Sequence, residues 1–543
     1  MFSSVRYDNS LIFINICLSF YISAVFCLPF RASLKIFTLA TICTIFALSF
    51  AYQKLRNFII KPQKYKPIPF WYFFSITSAV FAFYLYATWP GYISPDTICQ
   101  WNEIQEGQFI DWHPAIHTLL IGMFSKICNN FTFVLVCQMI IFNLINSSLF
   151  HELSKRGFPK KLVWTTFFVT TLSPATTTHM LTLWKDVAFA IMILGLTEML
   201  VLTYLSNGEW IKSNLKAITA GIVLGLATLV RHNGILFTLL FLVTFSYLFF
   251  SKYTVRLIFV TIITILFVKF PLYSYFKVSP HPQSQAEMCG LPMTVLSEIF
   301  VKNPSVLDEE TKDFLLSIED HDTWKARYVS GSWNSIKYLS SDKNLRTMRA
   351  NREIDIFSPQ KICVKALKCG ILDPENTLNA LINLTGLAWK VTAFSDRLSQ
   401  IYPITDQNIS KYVVLTECCS RENEENSNVN EGIFEGNPLM KRSTHDSIFK
   451  GILQIFIIAY SIMFCVFWRP GIYLLLLILS AFFSFHRLRW NAFLIISPIL
   501  AYNFGTMLLL CGPNDFRFFF FNVLITFPYM FILFSSKQRQ SKK

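Results

Sequence analysis

Two aspartates and an imidazole stand within one polar stretch, residues 90–114 (PGYISPDTICQWNEIQEGQFIDWHP), between two long apolar segments. Ser94-Pro95-Asp96 reads as a helix start: Ser can cap, Pro is tolerated at the first helical position, and Asp favours the positive helix end. Ile98, Trp101 and Ile104 then share one face, Glu103 and Glu106 point elsewhere, and Gly107 stops the helix. Asp111-Trp112-His113-Pro114 opens a second helix with Ile116, Leu119, Leu120, Met123, Phe124 and Ile127 at helical spacing. It is too short to span a bilayer and is expected to lie in the interface, apolar face down and Ser125 outward. Asp96, Asp111 and His113 would then sit near the lipid headgroups. Asp96 suits a general base, since a carboxylate partly withdrawn from water rises in pKa towards a useful range. Asp96, Asp111 and His113 could also hold a divalent cation such as Mg or Mn.

Three further polar groups interrupt apolar runs. Lys185-Asp186 stands at the mouth of a span, where a charge is expensive unless it faces a cavity, a partner or water. Arg231-His232-Asn233-Gly234 breaks a strongly apolar run, and Asp515 and Arg517 edge a Gly-Pro-Asn turn. Each has a plainer reading: a snorkelling pair beside Trp184, an arginine ending a helix, a local Asp/Arg pair. By counting spans, however, all three face the same side as the acidic loop. Lys185 and Arg231 are suited to holding a phosphate, Arg by its planar fork and Lys as a point charge. His113 could do the same, and Asp186, His232, Asn233, Asp515 and Arg517 are further cavity candidates.

The elements that must position these residues are membrane spans. A hydrophobic share of 53% with 55 Phe and a mean hydropathy of +0.44 place the chain among polytopic, all-α membrane proteins. Thirteen runs approach spanning length: 10–30, 34–52, 69–89, 131–150, 162–178, 186–205, 216–231, 234–250, 255–275, 449–468, 471–486, 491–511 and 517–535. The first has no small-residue cleavage site after Phe30 and reads as an anchor. The net charge of +15 does not point to nucleic acid, because the basic residues cluster in short loops between spans. Lys54, Arg56, Lys61, Lys64 and Lys66, then Lys155, Arg156, Lys160 and Lys161, then Lys537, Arg539, Lys542 and Lys543, should all be cytoplasmic, which puts the acidic loop outside. Both termini inside requires an even number of crossings, and thirteen is odd; the short segments about Arg469-Pro470-Gly471 and His486-Arg487-Leu488-Arg489 are the expected source.

Four parts follow: a hairpin and basic loop (1–66), a membrane core with the acidic loop (67–275), a large outer region (276–448) and the closing spans with a basic tail (449–543). The outer region is expected to be helical over 297–317 and 376–398, with an acidic, Asn-rich loop at 422–437, and it carries neither a P-loop nor a nucleotide-binding glycine pattern. The 13 cysteines include no CxxC and no zinc spacing. Cys363 and Cys369 could pair if that region faces an oxidising compartment.

The order of these pieces resembles the GT-C superfamily of bacterial polytopic glycosyltransferases. In that family an acidic residue lies in the first large outer loop between two interfacial helices, as Asp96 does here. Asp111-Trp112-His113-Pro114 resembles the Pro-led start of the second interfacial helix. Trp184-Lys185-Asp186, Arg231-His232-Asn233-Gly234 and Asn514-Asp515-Phe516-Arg517 resemble outward polar motifs of family members. The family's adjacent acidic pair is Asp96-Thr97 here, and the outer region is not covered. The resemblance implies an integral membrane glycosyltransferase, inverting by single displacement, in cell-envelope polysaccharide biosynthesis. A sugar would pass from a polyprenyl-phosphate-linked donor to a glycan, lipid or protein acceptor at the outer face of the cytoplasmic membrane. It implies Asp96 and Asp111 as catalytic carboxylates and Lys185, Arg231 and His113 as donor-phosphate ligands. Membrane lipids are the other expected partner, and nucleic acid is not. The rival classes are a polysaccharide polymerase or ligase acting on lipid-linked glycans, and a transporter or flippase, which would carry its charges near mid-membrane.

Overall fold

The computed structural model describes residues 9–28, 33–89, 91–93, 95–280, 289–337, 339, 359–391, 402–403, 469–510 and 516–535. The apolar runs form helices α1 (Asn9–Cys27), α2 (Leu34–Leu55), α3 (Phe70–Ala87), α6 (Phe131–Lys155), α9 (Lys185–Leu205), α10 (Asn214–Val230), α11 (Gly234–Phe249) and α12 (Lys252–Tyr275, with a π-turn over Val268–Leu272). The closing ones are α19 (Pro470–Leu488), α20 (Trp490–Leu510) and α21 (Phe521–Phe534, entered through a 3-10 turn at Phe516–Phe519). Eight helices among the described residues are long and apolar enough to cross a membrane. Their starts follow local chemistry: Asn130 Oδ1 accepts from the Thr132 amide at 2.8 Å to begin α6, and Ser251 Oγ accepts from the Thr254 amide at 3.3 Å to begin α12.

On α2, Leu34 is 80% and Phe46 70% exposed. In water, leaving such side chains unburied forgoes about 1.5–3 kcal/mol each; against lipid tails it does not. The chain is a multi-pass, all-α membrane protein. Between helices, small residues permit close contact: a Cβ on Gly221 would lie 2.7 Å from Val260, and one on Gly225 2.7 Å from Thr264, so α10 and α12 meet through a Gly-x-x-x-Gly face.

The two ends of the bundle differ in chemistry. At one, the Gln63 amide bonds the Gly157 carbonyl (2.7 Å), the Ile60 amide bonds Phe534 (2.8 Å), and Arg487 donates to the Leu533 and Ser535 carbonyls (2.7 and 3.0 Å). This joins the loops carrying the Lys61 and Lys155 clusters to the end of α21. At the other, the Tyr92 amide bonds Leu181 (2.9 Å) and the Asp111 amide bonds Ser279 (2.9 Å). The acidic loop lies there. It contains α4 (Pro95–Glu106), stopped by Gly107 at φ +67°, and α5 (Ala115–Ser125). Gly91, at φ +123°, makes the turn into it; a Cβ there would meet Leu135 at 2.6 Å.

Four expectations are corrected. The run 162–178 is not one span but α7 (Lys160–Thr171) and α8 (Pro174–Met180), because Ser173 Oγ takes the Thr176 amide and caps a new helix before Pro174. The expected helix 297–317 breaks at Asn303-Pro304 into α13 (Gly290–Lys302) and α14 (Glu309–Ile318). On α5 the buried residues are Ile116, His117, Thr118, Ile121, Gly122 and Ser125, while Met123 is exposed, so the helix is rotated from the expected face and Ser125 points inward. Cys363 is exposed and Cys369 buried on one helix, α17 (Pro359–Leu372), which separates them beyond disulfide reach.

Residues 470–488 and 490–510 are two full helices that reverse at Arg489. Arg469 donates to the Val391 carbonyl (2.9 Å), and a Cβ on Gly471 would meet the Lys390 carbonyl at 2.6 Å, so residues 391 and 469 lie at the same end. The run 449–468 and the loop 422–437 lie outside the described residues.

The outer region, which also holds α15 (His321–Arg327) and α16 (Trp333–Lys337), has a core of its own, with Trp324, Trp333, Phe300 and Leu315 fully or almost fully buried. Its helix α18 (Pro374–Trp389) docks it on the bundle, placing Leu387 and Ala388 against Met507, Phe518 and Phe519. The expected helix 376–398 is thus observed to Trp389, and 392–398 lies outside the described residues.

Candidate functional site

Asp96 sits in the first turn of α4, and its neighbour Thr97 fixes that turn by donating to the Leu183 carbonyl at 3.3 Å. Leu183 leads directly into α9, whose first residue is Lys185. This brings Lys185 Nζ to 3.8 Å from Asp96 Oδ2, while Arg517, in the 3-10 turn before α21, reaches the same oxygen at 2.9 Å. Arg517 lies flat against the Trp184 ring (4.9 Å) and the Phe518 ring (5.3 Å).

A second pair lies beneath. Asp186, with its side chain wholly buried, pairs with Arg231, and Arg517 Nε stands 3.8 Å away from the same carboxylate. Arg231 ends α10 but does not point to solvent as a simple helix-ending cation would; it is 5% exposed. Its Nε donates to Asn233 Oδ1 (3.1 Å), Asn233 donates to Thr506 Oγ1 (2.6 Å), and the guanidinium covers Phe518 at 4.6 Å. Asp96, Lys185, Asp186, Arg231, Asn233 and Arg517 therefore form one connected network from the loop, α9, the α10–α11 turn, α20 and the last hairpin. Three cations face two carboxylates, a surplus of one positive charge.

His113 has a different place from the expected one. Its Nδ1 is 2.8 Å from Lys185 Nζ, so the neutral imidazole accepts from the ammonium. Burial, and then the Lys185 charge, push it well below the ordinary histidine range. It positions Lys185 and supplies no charge of its own to a phosphate. Burial alone would raise the Asp96 carboxyl, but the Arg517 and Lys185 charges outweigh it and hold the group well below the usual carboxylate range. The expected upward shift at Asp96 is thus reversed by its partners.

Asp111 is not beside Asp96. It accepts from Lys269 (2.8 Å), Tyr273 Oη (3.2 Å) and the Ala115 amide (3.1 Å), which ties the first amide of α5 to the end of α12. His232 lies nearby, bonded to the Trp112 backbone and shifted down by burial. Asp515 lies outside the described residues. Asp96, Asp111 and His113 are each engaged by an ammonium or guanidinium, and no group of three His, Cys, Asp or Glu suited to a metal ion occurs among the described residues.

Sequence reading missed the polar layer between α4 and α5. Gln100 bonds His117 Nδ1 (3.1 Å) and Thr118 Oγ1 (3.0 Å). Glu103 is held by the Ile110 amide and the Thr118 hydroxyl, and burial pushes its carboxyl up to about 7. The spacing of Asp96, Gln100 and Glu103, at i, i+4 and i+7, was the available signal.

Set against models of known families, curated proteins and solved structures, the chain matches none. Fold and site together define a class: a multi-pass helical membrane protein with a partly buried, net positive ion-pair network at the end of the bundle opposite its basic loops.

Proposed function

We propose that the protein is an integral membrane glycosyltransferase of the GT-C type, moving a sugar from a polyprenyl-phosphate donor to a glycan, lipid or protein acceptor. The basic loops orient the bundle so that the site faces the outer side of the cytoplasmic membrane. The observation that carries the reading is the surplus positive charge of the network, placed at helix ends where a membrane-anchored phosphate would arrive. Lys185 and Arg517 are the donor-phosphate ligands, and Arg231 takes a supporting place because Asp186 occupies it. Asp96 holds the two ligands in register until the phosphate replaces it. Binding then exchanges one anion for another at cations already desolvated, which lowers the cost of bringing a phosphate out of water. Transfer is a single displacement with inversion. A transporter would need charge along the spans, whereas Asp96, Lys185, Arg231 and Arg517 all stand at helix termini. A polymerase or ligase would use the same site with a longer lipid-linked glycan.

The test uses the full chain in nanodiscs with a panel of polyprenyl-phosphate sugars, reading donor binding and sugar transfer separately. Transfer to an added glycan or lipid acceptor is expected. Failure to bind any polyprenyl phosphate, with or without sugar, sinks the reading.

A further inference from the structure

Three helices end together at the basic end of the bundle, and the side chains they gather there are cationic. The Tyr52 ring of α2 meets the Phe482 ring of α19 at 5.0 Å. One turn further toward that end, four residues on in each chain segment, stand Arg56 and His486, so the ring contact sets the two side by side. His486 is within electrostatic reach of Arg56, Arg487 and Arg489 together. Arg487 donates to the Leu533 and Ser535 carbonyls (2.7 and 3.0 Å), where α21 ends. The loop after Arg56 closes the third side, with Phe58 against Phe534 (5.4 Å) and the Ile60 amide on the Phe534 carbonyl (2.8 Å).

A cation at a helix C-terminus often does no more than bond the last carbonyls. Arg487 does that, whereas the half-buried Arg56 does not: its Nε is buried with no hydrogen-bond partner. Among the described residues no carboxylate pairs with Arg56, His486 or Arg487; Glu152 and Glu209, at this end, are taken by Lys155 and Arg156 and by Lys212. Guanidiniums held together without a counter-charge repel one another and destabilise the fold unless an anion comes from outside. Arg489 makes the turn into α20 at φ +53°, a left-handed conformation that suits glycine or asparagine better, and lies over the Phe485 ring at 5.7 Å. The depth of the cluster is marked by Trp490, 54% exposed and edge-on to Phe485 (5.5 Å), since exposed tryptophan gathers at the headgroup level. Leu55 and Phe58, on either side of Arg56 in the chain, are exposed and apolar.

We propose that Arg56, His486 and Arg489 form a binding site for a phosphate group, that of an anionic phospholipid headgroup in the leaflet at the basic end of the bundle. The planar guanidinium matches a pair of phosphate oxygens, and the His486 ring adds a further donor. Leu55 and Phe58 give the acyl chains an apolar surface beside the headgroup, as in other basic pockets between spans. The site stands at the opposite end of the bundle from Asp96, Lys185 and Arg517 and is independent of the glycosyltransferase reading.

The experiment places the full chain in nanodiscs of phosphatidylcholine alone or with increasing phosphatidylglycerol, and reads melting temperature and, by native mass spectrometry, retained lipid. Phosphatidylglycerol should raise the melting temperature to a plateau and stay bound. Arg56→Gln and Arg489→Gln should each weaken its apparent affinity by about 10-fold. Lys61→Gln, which removes the same charge from the neighbouring basic loop, should weaken it by no more than about 5-fold. Arg489→Gln, at an exposed turn, gives the reading even if Arg56→Gln folds poorly. A second arm adds inorganic phosphate to the phosphatidylcholine nanodiscs: stabilisation there that is lost in Arg56→Gln keeps the phosphate site and gives it to a soluble anion. Equal weakening in all three variants, or a wild type that responds to neither phosphatidylglycerol nor phosphate, overturns the site.

Discussion

The Arg517 guanidinium donates to Asp96 Oδ2 at 2.9 Å across 421 positions of sequence, so the last hairpin completes the site that the first large loop begins. The partners hold the Asp96 carboxyl below its unfolded value of about 3.9. A depressed carboxylate contributes stability above the unfolded pKa and loses it as pH falls through the folded one. Melting temperature should therefore fall on acidification below pH ~4, and the gap between wild type and Asp96→Asn should be wider at neutral pH than at the acid end. A gap that does not change with pH would mean that Asp96 is not ion-paired in solution.

Asp186 and Arg231 are a different case, being buried from both sides. Removing one partner of such a pair typically costs about 3–5 kcal/mol, because the other charge is left without compensation. Asp186→Ala should accordingly melt well below wild type in detergent, and adding Arg231→Leu should restore part of the loss. A double variant less stable than the single would show that Arg231 has other anchors of greater weight.

The phosphate ligands should separate binding from folding. A charged hydrogen bond contributes about 1.5–3 kcal/mol, so Lys185→Gln and Arg517→Gln should each weaken polyprenyl-phosphate binding by about 10- to 100-fold. Calorimetry or filter binding on the nanodisc protein reads this directly, and unchanged affinity in both variants would remove the cations from the donor site.

The inward turn of Ser125 reverses the expectation for α5. Ser125 is 6% exposed and donates to the Gly122 carbonyl (2.9 Å), whereas its neighbour Lys126 is exposed. Ser125→Asp buries a charge without a partner and should cut the yield of folded protein, while Lys126→Asp should be tolerated. Similar yields from the two would place the helix in another orientation.

Sidedness is open to labelling with a membrane-impermeant thiol reagent. Cys363 and a cysteine introduced at the exposed Glu106 should react from outside the cell, and one at Lys155, exposed at the opposite end, only after lysis. Reaction of Lys155→Cys in intact cells would invert the orientation.

The sequence by itself determined the apolar helices of most spans, because lipid requires long apolar runs with every backbone group bonded internally, and such runs are visible residue by residue; it did not show the break at Ser173-Pro174. It also marked Asp96, Lys185, Arg231 and Arg517, since a charge inside or beside an apolar run stands out wherever it occurs. What it did not contain was who pairs with whom. Asp96 and Asp111 look alike in one loop, yet one meets Arg517 and Lys185 and the other meets Lys269 and Tyr273, because the helices that arrive at each are remote in the chain. Those contacts then set the chemistry: neighbouring cations lowered Asp96, and burial between α4 and α5 raised Glu103. Only the tertiary structure decided this, since a side chain's charge state depends on burial and on groups brought close by packing, and neither is a property of local spacing.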